Sequence, residues 1–169
     1  MRREILTWND VDKLIDHLIP QFETEFDAMI MITRGGVIPG GLLAEALQLT
    51  TLLTAAVDFP FEMEMEKERD KSRLMAWPEF IQFPGENLLR GSKVLIVDDV
   101  WGSGRTITAV KNRVFGAAGI PFTCVLHFNP YRSLFGTARP DYYAAITDAY
   151  IVYPWEIHRG TENVLLRDF

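Results

Sequence analysis

The 169-residue chain predicts an α/β domain, a mainly parallel twisted sheet flanked by helices, on three observations. Residues 28–33 and 93–98 are apolar nearly throughout, as strands covered on both faces are. Segments of helical length and pattern separate the strand-like runs, which implies right-handed βαβ crossovers. Glycine-rich turns follow Thr33 and Asp99, at the carboxyl edge of the sheet where such folds bind ligands.

Taken in order, residues 4–8 are short and β-prone, and Thr7 or Asn9 can cap the helix that follows. Val11, Leu14, Ile15, Leu18 and Ile19 fall at i, i+3, i+4, i+7 and i+8, one apolar stripe of a helix whose last turns Pro20 disturbs. The strand at 28–33 runs through Arg34-Gly35-Gly36 into a helical stretch over 40–48, and a β-prone run spans 50–57. After the strand at 93–98 comes a helix over 106–118, ended by Gly119 and Pro121. A strand at 122–128 follows, and residues 141–146 close the sheet.

Bulk properties narrow the class. A chain of this length fits one domain, residues 1–169, and buries about two-thirds of its unfolded surface. With 48% hydrophobic and 12% aromatic residues it is globular rather than disordered or fibrous. No apolar run is long enough to span a bilayer, and Met1-Arg2-Arg3-Glu4 leads into no signal-peptide core, so a cytoplasmic protein with no membrane partner is expected. A net charge of −6 argues against broad nucleic-acid binding, so any phosphate must be held locally. Cys124, the single cysteine, rules out an internal disulfide and a Cys/His zinc site; its apolar neighbours make it a buried strand thiol.

Residues 94–106, Val-Leu-Ile-Val-Asp-Asp-Val-Trp-Gly-Ser-Gly-Arg-Thr, carry the most chemistry. Gly102 and Gly104 let the backbone turn its N–H groups inward, Ser103 and Thr106 add hydroxyl donors, and the next helix presents its positive end. That combination suits a phosphate monoester. Asp98 and Asp99 beside it would repel the ligand unless they accept hydrogen bonds from ribose hydroxyls or act through a divalent cation. In the other turn Arg34 supplies a forked cation, and Gly35 and Gly36 bring backbone amides to an oxyanion.

The segment 94–106 resembles the phosphoribosyl-pyrophosphate motif of type I phosphoribosyltransferases and lacks the Gly-Lys-Ser/Thr of a Walker loop. By that resemblance Asp98 and Asp99 hold the ribose hydroxyls and meet Mg²⁺ only indirectly, through the substrate. Ser103, Gly104, Arg105 and Thr106 wrap the 5-phosphate beside Gly102. The turn Thr33-Arg34-Gly35-Gly36 is similar to the family's pyrophosphate loop, where the peptide before the basic residue is often cis, and it places Arg34 with Asp98 and Asp99 at the reacting centre. The charged stretch 62–73 falls where the family has a mobile lid, about 60–85, with Lys67, Arg69, Lys71 and Arg73 as candidates to meet pyrophosphate.

Residues 148–156 resemble the hood of bacterial xanthine-guanine phosphoribosyltransferases, a small unit expected over about 141–169. There Tyr150 would stack on the base, Ile151 would offer its backbone to the base edge, and Glu156 would lie near the exocyclic group or the metal, while Trp155 packs. Two positions depart from the 6-oxopurine pattern: Gly102 replaces an acid in the turn, and Asn129 replaces a lysine that grips the 6-oxo group. The resemblance therefore implies phosphoribosyl transfer from phosphoribosyl pyrophosphate to a nucleobase, a purine by the hood, in a homodimer. The alternatives are orotate or another base as acceptor, or a regulator that binds the donor without catalysis.

Overall fold

The structure, a computed structural model, describes residues 2–59 and 77–157. In chain order the elements are β1 (Arg3–Ile5), α1 (Trp8–Leu18), β2 (Ala28–Ile32), α2 (Val37–Leu47), β3 (Leu52–Asp58) and β4 (Glu79–Gln82). They continue with β5 (Lys93–Trp101), α3 (Arg105–Gly116), β6 (Ile120–Phe128), β7 (Tyr142–Ile146) and β8 (Tyr150–Val152). The main sheet runs β4-β3-β2-β5-β6-β7, parallel except for β4, which pairs antiparallel with β3. The mainly parallel α/β sheet read from the sequence is present.

From β2 the chain steps through α2 to β3 on one side, then returns to lay β5 on the other side of β2 and steps outward to β6 and β7. The strand order therefore reverses between β2 and β5, in register from Ala28↔Val94 to Met31↔Val97. A crevice opens at that reversal because the two following connections leave for opposite faces.

Side-chain alternation along β5 decides which helix covers which face. Leu95 and Val97 lie in the core half that contains Val11, Ile15 and Leu18 of α1 and Leu43 and Ala44 of α2. Val94 and Ile96 lie in the half that contains Ile107, Val110 and Val114 of α3. All four β5 side chains are buried, at roughly 1.5–3 kcal/mol for each large aliphatic group removed from water.

Thr7 rather than Asn9 caps α1: Asp10 N donates to Thr7 Oγ1 at 3.2 Å and Thr7 N to Asp10 Oδ2 at 2.8 Å. Pro20 sits inside the 3₁₀ turn Ile19–Gln21, where its missing N–H is tolerated. Three expectations shift. Helix α2 starts at Val37, and β5 runs on to Trp101 because Val100 and Trp101 still pair with His127 and Phe128 of β6. Residues 142–146 are the outer strand of the main sheet, as the sheet-closing reading expects, so the start of the hood at about 141 overlaps that sheet, while β8 pairs in parallel with β1. Of the lid expected at about 60–85, residues 60–76 lie outside the described residues, and β4 is its described return. Residues 158–169 of the hood also lie outside them.

Helix α3 ends through Ala118, whose φ of 60° is in the left-handed region, and not at Gly119. Gly119 is needed for a different reason: a Cβ there would lie 2.8 Å from Val114 and 3.0 Å from the Leu89 carbonyl. An L-residue at positive φ costs about 1–2 kcal/mol, and glycine's extra unfolded-state freedom offsets about half of that relief. Because Ala118 is exposed, Ala118→Gly is expected to stabilise the domain by about 0.5–1 kcal/mol. Urea unfolding checks it, and a loss of stability would refute the strain argument.

Candidate active site

The two glycine-rich turns meet at the strand reversal, and the glycines are what let them meet. A Cβ on Gly36 would strike the Val97 carbonyl of β5, and one on Gly35 would lie 2.5 Å from the Asp99 carboxylate. The turn after β2 thus rests directly on the acidic end of β5. Its shape is held by Thr33 N donating to the Ala55 carbonyl at 2.9 Å and Gly36 N donating to the Ile32 carbonyl at 2.8 Å. The Thr33–Arg34 peptide is cis, and Arg34 is exposed at the carboxyl edge.

Asp98 and Asp99 lie within β5 rather than beyond its end. Asp99 N donates to Asp98 Oδ1 at 3.0 Å, and Val100 N donates to Asp99 Oδ1 at 2.7 Å, so each carboxylate is oriented by the next backbone amide. Burial raises the Asp98 pKa well above the ordinary carboxylate value, and the neighbouring Asp99 charge adds to the rise. Burial also pushes Asp99 up to about 6, with a further upward push from the Glu156 carboxylate. Glu156, from the C-terminal segment, is therefore close enough for its charge to act on Asp99.

Beyond the acids, Gly104 adopts φ 80° and starts α3, and a Cβ on it would collide with the Trp101 indole. Arg105 N donates to Ser103 Oγ at 3.4 Å, and the Arg105 guanidinium lies 5.9 Å from the centre of the Phe59 ring. Thr106 occupies the first turn of the helix. Gly102 has open space around its Cβ position. The turn is braced from outside: Trp101 Nε1 donates to Ser133 Oγ at 3.2 Å, and Leu134 N donates to the Ser103 carbonyl at 3.0 Å. Trp101 also packs edge-on against Phe128, with ring centres 6.0 Å apart.

Asn129 is buried at the end of β6, the next strand of the crevice. Its backbone N donates to the Trp101 carbonyl at 2.9 Å, and its Oδ1 accepts from Tyr131 N at 3.2 Å, which leaves the carboxamide NH₂ as the group to donate outward. On β8, Tyr150 is half-exposed and its ring lies under the Arg3 guanidinium at 5.5 Å. The Ile151 side chain is core. Tyr150 N donates to the Arg2 carbonyl, and the Val152 carbonyl accepts from Leu6 N. Because alternate residues of a strand bond to the same neighbour, the Ile151 amide and carbonyl face away from β1.

The structure thus gathers Arg34, Gly35, Gly36, Asp98, Asp99 and Gly102 to Thr106 at one edge, with Asn129 adjacent and Glu156 close enough for its charge to act on Asp99. Lys67, Arg69, Lys71 and Arg73 lie outside the described residues. Trp155 packs as expected, stacked on Tyr153 with ring centres 4.5 Å apart and 5.9 Å from the Trp8 ring. Sequence reasoning missed Trp101 and Ser133 as braces, although a bulky indole inside a glycine-rich turn is itself a signal. It also missed Tyr153 and His127. Both are buried, Tyr153 Oη donates to the Asp99 carbonyl at 2.9 Å, and His127 Nδ1 lies 2.8 Å from the same hydroxyl.

A mainly parallel sheet with two glycine-rich turns at its strand reversal, one of them following an acid pair, is the fold of type I phosphoribosyltransferases. Residues 3–128 match the family model of the phosphoribosyl transferase domain, and the chain belongs to that family. It is similar to a purine phosphoribosyltransferase from Pyrococcus horikoshii Ot3 at 29% identity and a TM-score of 0.75, over 95% of this chain and 98% of that one. It also resembles a hypothetical protein from Neisseria gonorrhoeae with bound ppGpp (23% identity, TM-score 0.74, 98% and 95% covered). The xanthine-guanine-hypoxanthine phosphoribosyltransferase of Helicobacter pylori matches at 14% identity and a TM-score of 0.72, over 98% and 100%. At the identities of the last two, the likeness shows the fold alone. Among the described residues no helix is long and apolar enough to cross a membrane.

The half-buried acids make a pH prediction. The folded-state pKa of Asp99, about 6, lies above its ordinary 3.8, so the folded state is favoured most when the group is protonated. That contribution is fully present below about pH 4 and is lost as pH rises through about 6. Asp99→Asn keeps an acceptor for Val100 N and removes the charge. The ligand-free variant is expected to gain about 2 kcal/mol over the parent near pH 7.5 and nothing near pH 4. Thermal unfolding at the two pH values checks it; an equal gain at both would exclude carboxylate burial as the cause.

Proposed function

We propose that this chain transfers 5-phosphoribosyl from phosphoribosyl pyrophosphate to a purine base and releases pyrophosphate. The observation that carries this reading is the contact between the two turns, Gly35 against the Asp99 carboxylate. It gives one crevice a cation and the Gly35 amide on one wall, two ribose-matching acids at the centre and a phosphate turn on the other wall.

In that arrangement Ser103, Gly104, Arg105 and Thr106, with the positive end of α3, hold the 5-phosphate. Asp98 and Asp99 accept from the ribose hydroxyls, and Arg34 with the Gly35 amide binds the pyrophosphate, the Gly36 amide being engaged by the Ile32 carbonyl. The C1–oxygen bond breaks with its electron pair leaving on pyrophosphate, a base nitrogen forms the new bond to C1, and the base loses a proton. Arg34 stabilises the charge that grows on the leaving group, and the acids hold the ribose while C1 becomes oxocarbenium-like. A bound Mg²⁺ would supply Lewis-acid neutralisation of part of the same charge. Asp98 and Asp99 are hard oxygen donors that fit such an ion through the ribose hydroxyls; among the described residues, no group of three or more His, Cys, Asp or Glu is gathered to hold a metal by protein alone.

For the base, the Asn129 carboxamide is oriented to donate to an oxo group, the Ile151 main chain faces away from β1 toward a base edge, and Glu156 offers an acceptor. The resemblance of residues 148–156 to a purine hood and the purine phosphoribosyltransferase of Pyrococcus horikoshii support a purine over orotate. Gly102 lacks the acid that would take the base proton. A base that is already acidic, xanthine before hypoxanthine, is therefore the better acceptor.

Incubating the protein with labelled donor, Mg²⁺ and guanine, xanthine, hypoxanthine, adenine or orotate tests the reading by nucleotide formed. Purine nucleotide is expected; product from orotate alone, or donor binding without product, would contradict it. The open space at Gly102 accepts a larger side chain, so Gly102→Asp is expected to raise turnover of hypoxanthine toward the ~10²–10⁴ that general-base help supplies. No gain in the folded variant would show that the proton leaves by another route.

A further inference from the structure

Tyr153 touches both halves of the crevice without lining it as a base or phosphate ligand. Its backbone N donates to Glu156 Oε2 at 2.8 Å, and the Glu156 backbone N donates back to the Tyr153 carbonyl at 3.0 Å, so the residue fixes the acid of the C-terminal segment. At its other end the phenol hydroxyl donates to the Asp99 main-chain carbonyl at 2.9 Å. The ring between them is buried, stacked on Trp155 at an interplanar angle of 6°. One rigid side chain therefore spans from Glu156 to the strand that carries the ribose acids.

The direction of these bonds follows from chemistry. The Asp99 carbonyl can only accept, so the single phenol proton points to it, and the hydroxyl must accept from His127. His127 therefore carries its proton on Nδ1, which donates to Tyr153 Oη at 2.8 Å. Burial lowers the His127 pKa to about 4, so the imidazole is neutral near neutral pH. His127 stands opposite Val100 in the β5–β6 ladder, one residue past Asp99, so its position is set by the same sheet that positions the acids. The phenol rotor is thereby locked from one side by β6 and from the other by β5.

We propose that Tyr153 is a positioning residue that sets the distance between the base-binding segment and the ribose-binding acids, with His127 locking its hydroxyl. This rests on the phosphoribosyl-transfer reading. A nucleoside monophosphate spans both halves of the crevice, whereas ribose 5-phosphate occupies the ribose and phosphate half alone. Loss of the hydroxyl then removes the part of nucleotide affinity that comes from the base and leaves ribose 5-phosphate binding in place.

Calorimetric titration of GMP, AMP, orotidine monophosphate and ribose 5-phosphate into the wild type, Tyr153→Phe, His127→Leu and His127→Asn tests this, with folding checked by circular dichroism. In the wild type, the nucleotide that exceeds ribose 5-phosphate in affinity is the probe. Tyr153→Phe is expected to weaken that nucleotide about tenfold, the equivalent of one hydrogen bond, while ribose 5-phosphate stays within about twofold. His127→Leu shifts affinity the same way, and His127→Asn, whose amide N–H replaces Nδ1–H, retains most of it. Should Tyr153→Phe not fold, the two His127 variants carry the comparison. Parallel losses for both ligands, or no loss for either, would overturn the proposal. A wild type that binds orotidine monophosphate best would contradict the purine reading and leave the Tyr153 comparison to be decided with that ligand. A wild type for which no nucleotide exceeds ribose 5-phosphate has no base subsite, and both readings fall.

Discussion

Two half-buried carboxylates on successive residues near the end of β5 set the terms for the rest of this molecule. Their desolvation disfavours the charged, ligand-accepting form. The fold holds them there because β5 is the central strand, paired on both sides and covered on both faces. Backbone amides of Asp99 and Val100 orient the carboxylates. A ligand whose hydroxyls donate to them relieves part of the cost, so stability given up in the empty protein is available for binding.

The same constraint explains the glycines. Asp99 can be met by a second turn only if that turn has no side chain at the point of contact, and Gly35 and Gly36 supply this against the carboxylate and the Val97 carbonyl. On the opposite side Gly104 makes room for Trp101, which in turn is fastened to the loop after β6 through Ser133. The turn over residues 102–104 is therefore braced on its outer side by residues distant in sequence, and under the proposed function this readies it before a ligand arrives.

Much of this was legible in the sequence because it depends on local pattern. The apolar stripe of α1, the apolar β2, the apolar run Val94 to Val97 of β5, and the spacing of the acids and glycines each read out a period or a turn requirement. What was not legible depends on pairing across the sheet. The end of β5 is set by Val100 and Trp101 finding partners on β6, not by the acids that look like a strand terminus. Residues 141–146 read both as the strand that closes the sheet and as the start of the hood, and only their pairing with β6 decides for the sheet. Tyr153 carries no local signal of its role, because its bond to Asp99 joins residues 54 apart in the chain. Ala118 at positive φ beside a glycine that is needed for packing is likewise a tertiary outcome, since local propensity assigns the left-handed position to the glycine.

Whether the half-buried acids hold the ribose is the point on which the functional reading turns. Calorimetric titration of phosphoribosyl pyrophosphate and of inorganic pyrophosphate into the wild type and the folded Asp98→Asn/Asp99→Asn variant measures it most directly. Each charge-assisted bond is worth about 1.5–3 kcal/mol, so the expected result is a donor affinity lower by at least about 10² with pyrophosphate affinity little changed. An unchanged donor affinity in the folded double variant would contradict the assignment of Asp98 and Asp99 to the ribose.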